Sequence, residues 1–364
     1  MIEASLCERL GRIGLSPAVL QQLVREPAFA DGLPDGWALM RVTEVQRDAL
    51  HLHDGDHEHP ARALPALLQA LQQQQDGLAV GDWVLAARNP HGQWWVQQRL
   101  PPLTQIARRL HDGRDKVTRT VVVSNVDTAL LVMGLDHDFN PRRLERYLAL
   151  VRLAGVSAVA VLTKADLCDD VPRRLQQVQS LLPADTAAVA LDAQGDEPPR
   201  QLAPWLQPGH TLVLLGSSGT GKSTLTNALL GQPVQATGGT RQGDGRGRHT
   251  TTARSLHLAP GGACIVDTPG LRTLRLDAES GDVAQVFDDI ARLAPQCRFR
   301  DCRHEAEPGC AVRAGVPPER LRNFHKLQRE AQRDTLSVLQ RQAQLAVWKQ
   351  RSRAARDVIR SKRG

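Results

Sequence analysis

No apolar run in this chain of 364 residues approaches the roughly 18 consecutive residues that suggest a membrane-spanning helix. The opening MIEASLCERLGR has no apolar core and carries acids at Glu3 and Glu8, so it does not read as a secretory signal. Cysteine is scarce too, with six in all. Cys297, Cys302 and Cys310 cluster around His304, while Cys7, Cys168 and Cys264 are scattered. That distribution argues against a disulfide framework and for metal binding in a reducing compartment. No internal repeat is visible. These absences leave a cytoplasmic chain without a membrane partner as the expectation, and the length calls for two or three domains.

Hydrophobic residues make up 41% and charged residues 23%, an ordinary globular composition. The net charge of +7 is unevenly placed: residues 311–364 hold 14 Lys and Arg against 4 Asp and Glu. A basic tail on a slightly acidic body points to a polyanion, which in the cytoplasm is most often nucleic acid. The alternative is an Arg-rich solvated helix face.

Three regions follow one another. Residues 1–30 show helical apolar spacing (Leu6, Leu10, Leu20, Leu23, Val24), broken by Gly14 and Pro17. From Gly36 to Arg99 short alternating segments, WALMRVTEV, ALHLH, DWVLAAR and QWWVQQRL, are separated by turn-rich pieces. They predict a small β-barrel or sandwich, with the Gln-rich LLQALQQQQDGL inserted as a helix or loop. In a barrel of the oligonucleotide-binding kind, Trp94 and Trp95 could put one aromatic on a face that stacks bases; the alternative, favoured by composition, is simply one ring in the core and one on the surface. From about Val117 to Leu276 apolar strands (TALLVMGL, SAVAVLT, AAVAL, TLVLLG, SLHLA, ACIVDT) alternate with amphipathic helices. That rhythm predicts a largely parallel sheet covered on both faces. A cysteine cluster and a helical tail from Glu319 to about Arg356 complete the chain.

The strongest motif is GSSGTGKST, with Gly216, Ser217, Ser218, Gly219, Thr220, Gly221, Lys222, Ser223 and Thr224 between an apolar strand and a helix. Glycines let backbone N–H groups turn inward around phosphate oxygens, and the helix N-terminus adds its dipole. Lys222 is expected on the β- and γ-phosphates and Ser223 on Mg²⁺. Downstream, CIVDTPG places Asp267 to hold Mg²⁺ through water and Gly270 to sense the γ-phosphate. Between them lies the polar, Gly-rich, basic stretch 238–256, expected to be a first switch ordered by γ-phosphate and Mg²⁺. One of Thr250, Thr251 and Thr252 should give the metal a hydroxyl, and Thr251 is our choice. Leu271 occupies the place where many switch GTPases carry a water-positioning glutamine. His249 is the internal candidate for that role, unless it is a surface histidine of an RNA-contacting loop.

The segment VLTKADL contributes Thr163, Lys164, Ala165 and Asp166, a base-reading loop of the (N/T)KxD type. A carboxylate at Asp166 can accept paired hydrogen bonds from guanine, donors that adenine lacks. Its position is unusual, because the phosphate loop begins 53 residues after Thr163. Further on, Cys297-x4-Cys302-x-His304-x5-Cys310 fits a closed, structural Cys3His zinc site.

Taken together, the base loop, phosphate loop, GRGRHTTT switch, DTPG and Cys3His cluster, in that order, resemble the circularly permuted small-ribosomal-subunit biogenesis GTPases of the RsgA family. NVDTALLV, DFNPRRLERYLALV and CRFRDCRHEAEPGCAV match as well, and the resemblance is dense from about Val117 to Arg313. It implies a multidomain chain: an N-terminal OB-fold β-barrel with a helical leader (1–105), a permuted α/β P-loop GTPase domain (106–280), and a zinc-binding domain with basic helices (281–364). It further implies a monomer that binds the 30S subunit and its 16S rRNA in late maturation. Slow GTP hydrolysis would be stimulated by the 30S particle and coupled to release of an assembly factor. His249 matches the histidine proposed as catalytic in the family. Departures are Thr163 for the commoner Asn, Thr220 for the usual Val, and VALDAQG in place of a Ser-Ala motif near the base. The competing reading is a non-ribosomal P-loop ATPase or kinase whose zinc is merely structural.

Overall fold

The computed structural model describes residues 4–25, 33–46, 49–111, 117–234, 254–268, 283 and 287–335. The chain forms two compact units, one of residues 1–108 and 119–274, the other of residues 109–118 and 275–364.

The first unit opens with helices α1 (Ala4–Gly11) and α2 (Pro17–Arg25). The turn between them needs Gly14, whose φ of +91° is left-handed, a conformation open to glycine at little cost. A Cβ there would also strike the Arg41 guanidinium and come within 2.9 Å of the Gly209 carbonyl. Leu10, Ile13, Val19 and Leu23 pack together with Leu39, Trp83, Leu85 and Leu100 in one buried cluster.

Leu39, Trp83 and Leu85 belong to a barrel of strands β1 (Trp37–Val45), β2 (Leu50–His53), β3 (Glu58–Ala63), β4 (Trp83–Arg88) and β5 (Trp94–Arg99). The order β1-β2-β3-β5-β4 closes through a β1–β4 ladder, and β3 with β5 is the parallel pair. Helix α3 (Pro65–Gln73), inserted between β3 and β4, takes up much of the Gln-rich segment. This five-stranded barrel has the OB-fold architecture. Its residues sort with period two: Leu39 and Leu85 pack with the leader helices, whereas Met40, Val42, Val84 and Ala86 join the barrel core with Leu52 and Val96. Trp94 and Trp95 are both half-buried rather than split between core and surface. The Trp94 ring lies 4.8 Å from the Arg88 guanidinium and 5.9 Å from the His59 ring.

A two-stranded sheet of β6 (Gln105–His111) and β7 (Val117–Ser124) follows. Neither strand is among those expected from sequence, because Arg108 and Arg109 interrupt the alternation of β6. Next come β8 (Thr128–Gly134), α4 (Pro141–Leu153), β9 (Ser157–Thr163), α5 (Val171–Gln179), β10 (Ala187–Ala190), α6 (Glu197–Gln201), β11 (Thr211–Gly216), α7 (Lys222–Leu230), β12 (Arg254–Leu258) and β13 (Cys264–Asp267). In space the order is β10-β9-β8-β11-β13, all parallel, with β12 antiparallel on β13. Every residue of β8 and β11 is buried, which accounts for their unbroken apolar sequences. The chain leaves β8 toward one edge and β11 toward the other. Sheets wound in this way bind ligands in the crevice at the carboxyl ends of such strands.

Barrel and sheet meet where β1 pairs with β12 and around Arg41, which is fully buried. Its guanidinium donates to the carbonyls of Ile13, Gly81 (3.4 Å) and Asn125 (3.1 Å) and to Thr211 Oγ1 (3.0 Å). Burial pulls its pKa down, with Cys264, Asp127 and Asp82 opposing. A buried charge is tolerable only when its hydrogen bonds are met. Arg41 therefore ties the leader and barrel to β11, the strand that carries the phosphate loop.

In the second unit, helices Asp288–Leu293, Ala311–Gly315 and Pro318–Thr335 surround a small core that includes Phe287, Ile290, Val312, Phe324 and Leu327. Arg320 grips Asp289 in a fork, Nε to Oδ2 at 2.6 Å and Nη2 to Oδ1 at 3.0 Å. Among the described residues, so few buried side chains leave the polar segment 297–310 in need of another organising device.

Candidate functional site

Three loops meet at the carboxyl ends of β8, β9 and β11. The phosphate-type loop leaves β11 at Gly216, where an added Cβ would strike the Val132 carbonyl. Gly219 and Gly221 both take φ of +82°, the left-handed geometry that turns successive N–H groups to one side. Lys222 Nζ donates to the Ser217 carbonyl across the loop. Ser223 and Thr224 follow in the first turn of α7, where Leu225 N bonds Gly221 O at 2.8 Å. A Gly-rich turn on a helix N-terminus with a lysine at its end can cradle a polyphosphate.

The TKAD loop leaves β9. Thr163 is fully buried, and its hydroxyl donates to the Thr220 carbonyl of the phosphate-type loop at 2.6 Å. The substitution of Thr for Asn in this motif therefore keeps a direct tie between the two loops. Lys164 is left-handed, φ +59°, and its Nζ lies 2.6 Å from Asp136 Oδ2. Ala165 N reaches the Leu191 carbonyl at 3.4 Å, so the segment after β10 that stands in for Ser-Ala borders this loop. Asp166 is exposed to solvent. Sequence reasoning missed Asp136, Asp138 and Arg143, whose only signal was acids just past an apolar strand.

We expect Thr163→Val, which keeps shape and removes the donor, to lower nucleotide affinity by roughly five- to tenfold, as for a lost buried hydrogen bond. The ratio of GTP to ATP affinity should hold. Displacement of a fluorescent GDP measures both; unchanged affinity would show that the tie is idle.

Asp267 closes β13 and is buried. Burial pushes its carboxyl up, opposed by His257 and Lys222; a divalent cation beside it would restore the ionised form. The next residue, Thr268, is buried and donates from its hydroxyl to Leu214 O at 2.9 Å. This fastens the start of the DTPG segment to β11. Gly270, Leu271, His249 and Thr250, Thr251 and Thr252 lie outside the described residues.

Cys297, Cys302, His304 and Cys310 bring four ligand atoms within 4.8 Å of one another. Cys297 Sγ lies 3.6 Å from His304 Nδ1, Cys310 Sγ lies 3.5 Å from it, and the two sulfurs are 3.9 Å apart. Zinc–sulfur and zinc–nitrogen bonds of about 2.3 and 2.0 Å give tetrahedral edges of roughly 3.8 Å (S–S) and 3.5 Å (S–N). The donor set therefore fits zinc. Supporting groups fix the ligands, as metal sites require. Arg313 N points at Cys310 Sγ (3.4 Å), His304 adopts φ +62°, and its carbonyl lies 3.3 Å from His325 Nε2. Glu307 accepts from the N–H groups of Arg303, Glu305 and Ala306 at 2.9–3.1 Å. Its own N–H and these three draw its carboxyl down to about 2.

Comparison with known proteins agrees with this geometry. The family model described as RsgA GTPase matches residues 104–277. The small ribosomal subunit biogenesis GTPase RsgA of Xylella fastidiosa (strain 9a5c) is 47% identical over 283 residues, 75% of this chain and 81% of that protein. Its namesake in Xanthomonas campestris pv. campestris (strain B100) is 43% identical over 296 residues, 80% of each. Among solved structures, YjeQ from Thermotoga maritima has a TM-score of 0.59 at 22% identity, covering 81% of this chain and 98% of its own. YloQ, described as a circularly permuted GTPase, has a TM-score of 0.56 at 19% identity, covering 83% and 98%. A parallel sheet whose base-type loop precedes its phosphate-type loop, an OB barrel before it and a Cys3His cluster after it agree with identity of this extent: the chain belongs to the RsgA family of circularly permuted GTPases.

Proposed function

We propose that this chain is a guanine-nucleotide switch that docks on the 30S ribosomal subunit and assists its late maturation. Its hydrolysis of GTP is slow alone, stimulated by the 30S particle, and coupled to release of an assembly factor. The observation that carries the reading is the 2.6 Å bond from Thr163 to Thr220, which joins the base-type and phosphate-type loops into one site despite their inverted chain order. Relatives bearing the name small ribosomal subunit biogenesis GTPase supply the ribosomal half.

In this reading Asp166 recognises guanine, Lys164 supports the base, and Gly216 to Thr224 wrap the phosphates with Lys222 on the β- and γ-groups. Mg²⁺, when bound, neutralises charge on the phosphate oxygens; Ser223, Thr251 and Asp267 would hold it. Gly270 senses the γ-phosphate and His249 orients the attacking water. The zinc site is structural, and the basic stretch 311–364, together with the barrel, faces 16S rRNA. The working divisions are 1–105, 106–280 and 281–364, in a cytoplasmic monomer.

Co-sedimentation with purified 30S and 50S subunits tests the docking. The protein should pellet with 30S in the presence of a non-hydrolysable GTP analogue, more weakly with GDP, and not with 50S. Absence from the 30S pellet in every nucleotide state would end the ribosomal reading.

A further inference from the structure

The short loop after β8, residues 135–140, touches both nucleotide-binding loops through two separate acids. Asp136 Oδ2 holds Lys164 Nζ at 2.6 Å. Asp138 receives Arg143 Nη1 with both oxygens at 2.8 Å, and the same nitrogen reaches Ser217 Oγ at 2.7 Å. The loop is itself braced. Asp138 N donates to Asp136 Oδ1 at 3.1 Å, Leu135 N to the Thr163 carbonyl at 2.9 Å, and Phe139 lies 4.5 Å below the Arg174 guanidinium of α5. Asn140 caps α4 by accepting from Arg143 N at 3.2 Å, which fixes the start of the helix bearing Arg143. Gly134 makes room for the first pair: a Cβ there would come within 2.7 Å of Asp136 Oδ1 and 3.5 Å of Lys164 Cδ.

We propose that Asp136 and Asp138 are positioning residues for GTP binding, Asp136 setting the base loop through Lys164 and Asp138 setting the phosphate loop through Arg143 and Ser217. This rests on the nucleotide site proposed above. Lys164 is a long side chain on a left-handed backbone, and free rotation of its stem would have to be lost on each binding event. The Asp136 pair removes that freedom in advance, the usual route by which preorganisation raises affinity. Ser217 stands second in the phosphate loop, where Arg143 can fix it only while Asp138 holds the Nη1 that contacts both. One six-residue loop thus adjusts two loops whose motifs begin 53 residues apart in sequence, at Thr163 and Gly216.

The test separates the two arms by ligand. GDP engages both loops, whereas inorganic pyrophosphate engages only the phosphate loop. Competition of each against a fluorescent GDP is measured for Asp136→Ala, Asp138→Ala and their Asn counterparts, which keep shape if the Ala variants fold poorly. Asp136→Ala is expected to weaken GDP about tenfold and pyrophosphate less than twofold, with the GTP loss falling in KM rather than kcat. Asp136→Glu should recover part of it. Asp138→Ala should weaken both ligands by a similar factor of about five to ten, and should add little on a Ser217→Ala background. A role in general folding would instead lower both ligands equally in both variants, with a matching fall in melting temperature, and would overturn the proposal. So would a change under twofold for GDP in either variant. Asp166→Ala is run in parallel: if it leaves the GTP preference intact, the base-site reading fails, independently of how the acid-loop variants behave.

Discussion

Asp166→Ala is expected to abolish the preference for GTP over ATP, bringing a ratio of roughly 10⁴ close to unity. The magnitude follows from hydrogen-bond accounting. A carboxylate offers two acceptors side by side, which match the N1 and N2 donors of guanine. Adenine presents no such pair and would cover the carboxylate without satisfying it, a penalty paid in full at a desolvated charge. Asp166 stands exposed in the turn Ala165–Leu167 just beyond β9, so its bonding capacity is available to a base. The substitution to Asn is more telling still. A carboxamide presents one acceptor and one donor, which complement the N1–H and O2 of xanthine, so Asp166→Asn should favour XTP over GTP. Competition binding with GTP, ATP and XTP reads all three ratios. A GTP preference that survives Asp166→Ala would remove this loop from the base site.

The second large effect is expected from zinc. Purified protein should carry one zinc per chain. Chelation, or Cys297→Ser with Cys310→Ser, should unfold the segment 287–335 while leaving the first unit folded. Structural zinc binding in small peptides supplies about 10–16 kcal/mol at neutral pH, as much as or more than the net stability of a whole domain, about 5–15 kcal/mol. Among the described residues, the second unit has few buried side chains to set against that loss. Phe287 and Phe324 meet edge to face at 5.4 Å between ring centres, and Arg320 clasps Asp289. These contacts join helices on either side of the Cys3His turn and depend on that turn to bring them together. Hydrogen exchange with and without chelator measures the outcome. Amides of the helix Pro318–Thr335 that stay protected after complete zinc removal would contradict the assignment.

Much of this was legible from sequence because the relevant chemistry is local. The phosphate loop needs glycines, a lysine and a hydroxyl within nine residues, and the Cys3His spacing is contained in fourteen. The alternation in WALMRVTEV and DWVLAAR marked the barrel strands, and the unbroken apolar TALLVMGL and TLVLLG marked the buried ones. What could not be read were pairings across distance. Arg41 reads as a polar residue on an alternating strand, yet it is fully buried and bonds Thr211, 170 positions later. Thr163 reads as a departure from the commoner Asn, and only its contact with Thr220 explains how the hydroxyl serves. Asp136 and Asp138 look like turn residues until Lys164 and Arg143 are found beside them. Strands β6 and β7 escaped because arginines break the period in one and polar residues open the other.

Steady-state GTP turnover in the presence of purified ribosomal subunits tests most directly whether the guanine-nucleotide site is coupled to the small subunit. Turnover should be slow alone, rise about tenfold or more with 30S particles, equivalent to ~1.4 kcal/mol or more of barrier, and not rise with 50S particles. Turnover that is unchanged by 30S, or raised equally by 50S, would contradict that coupling.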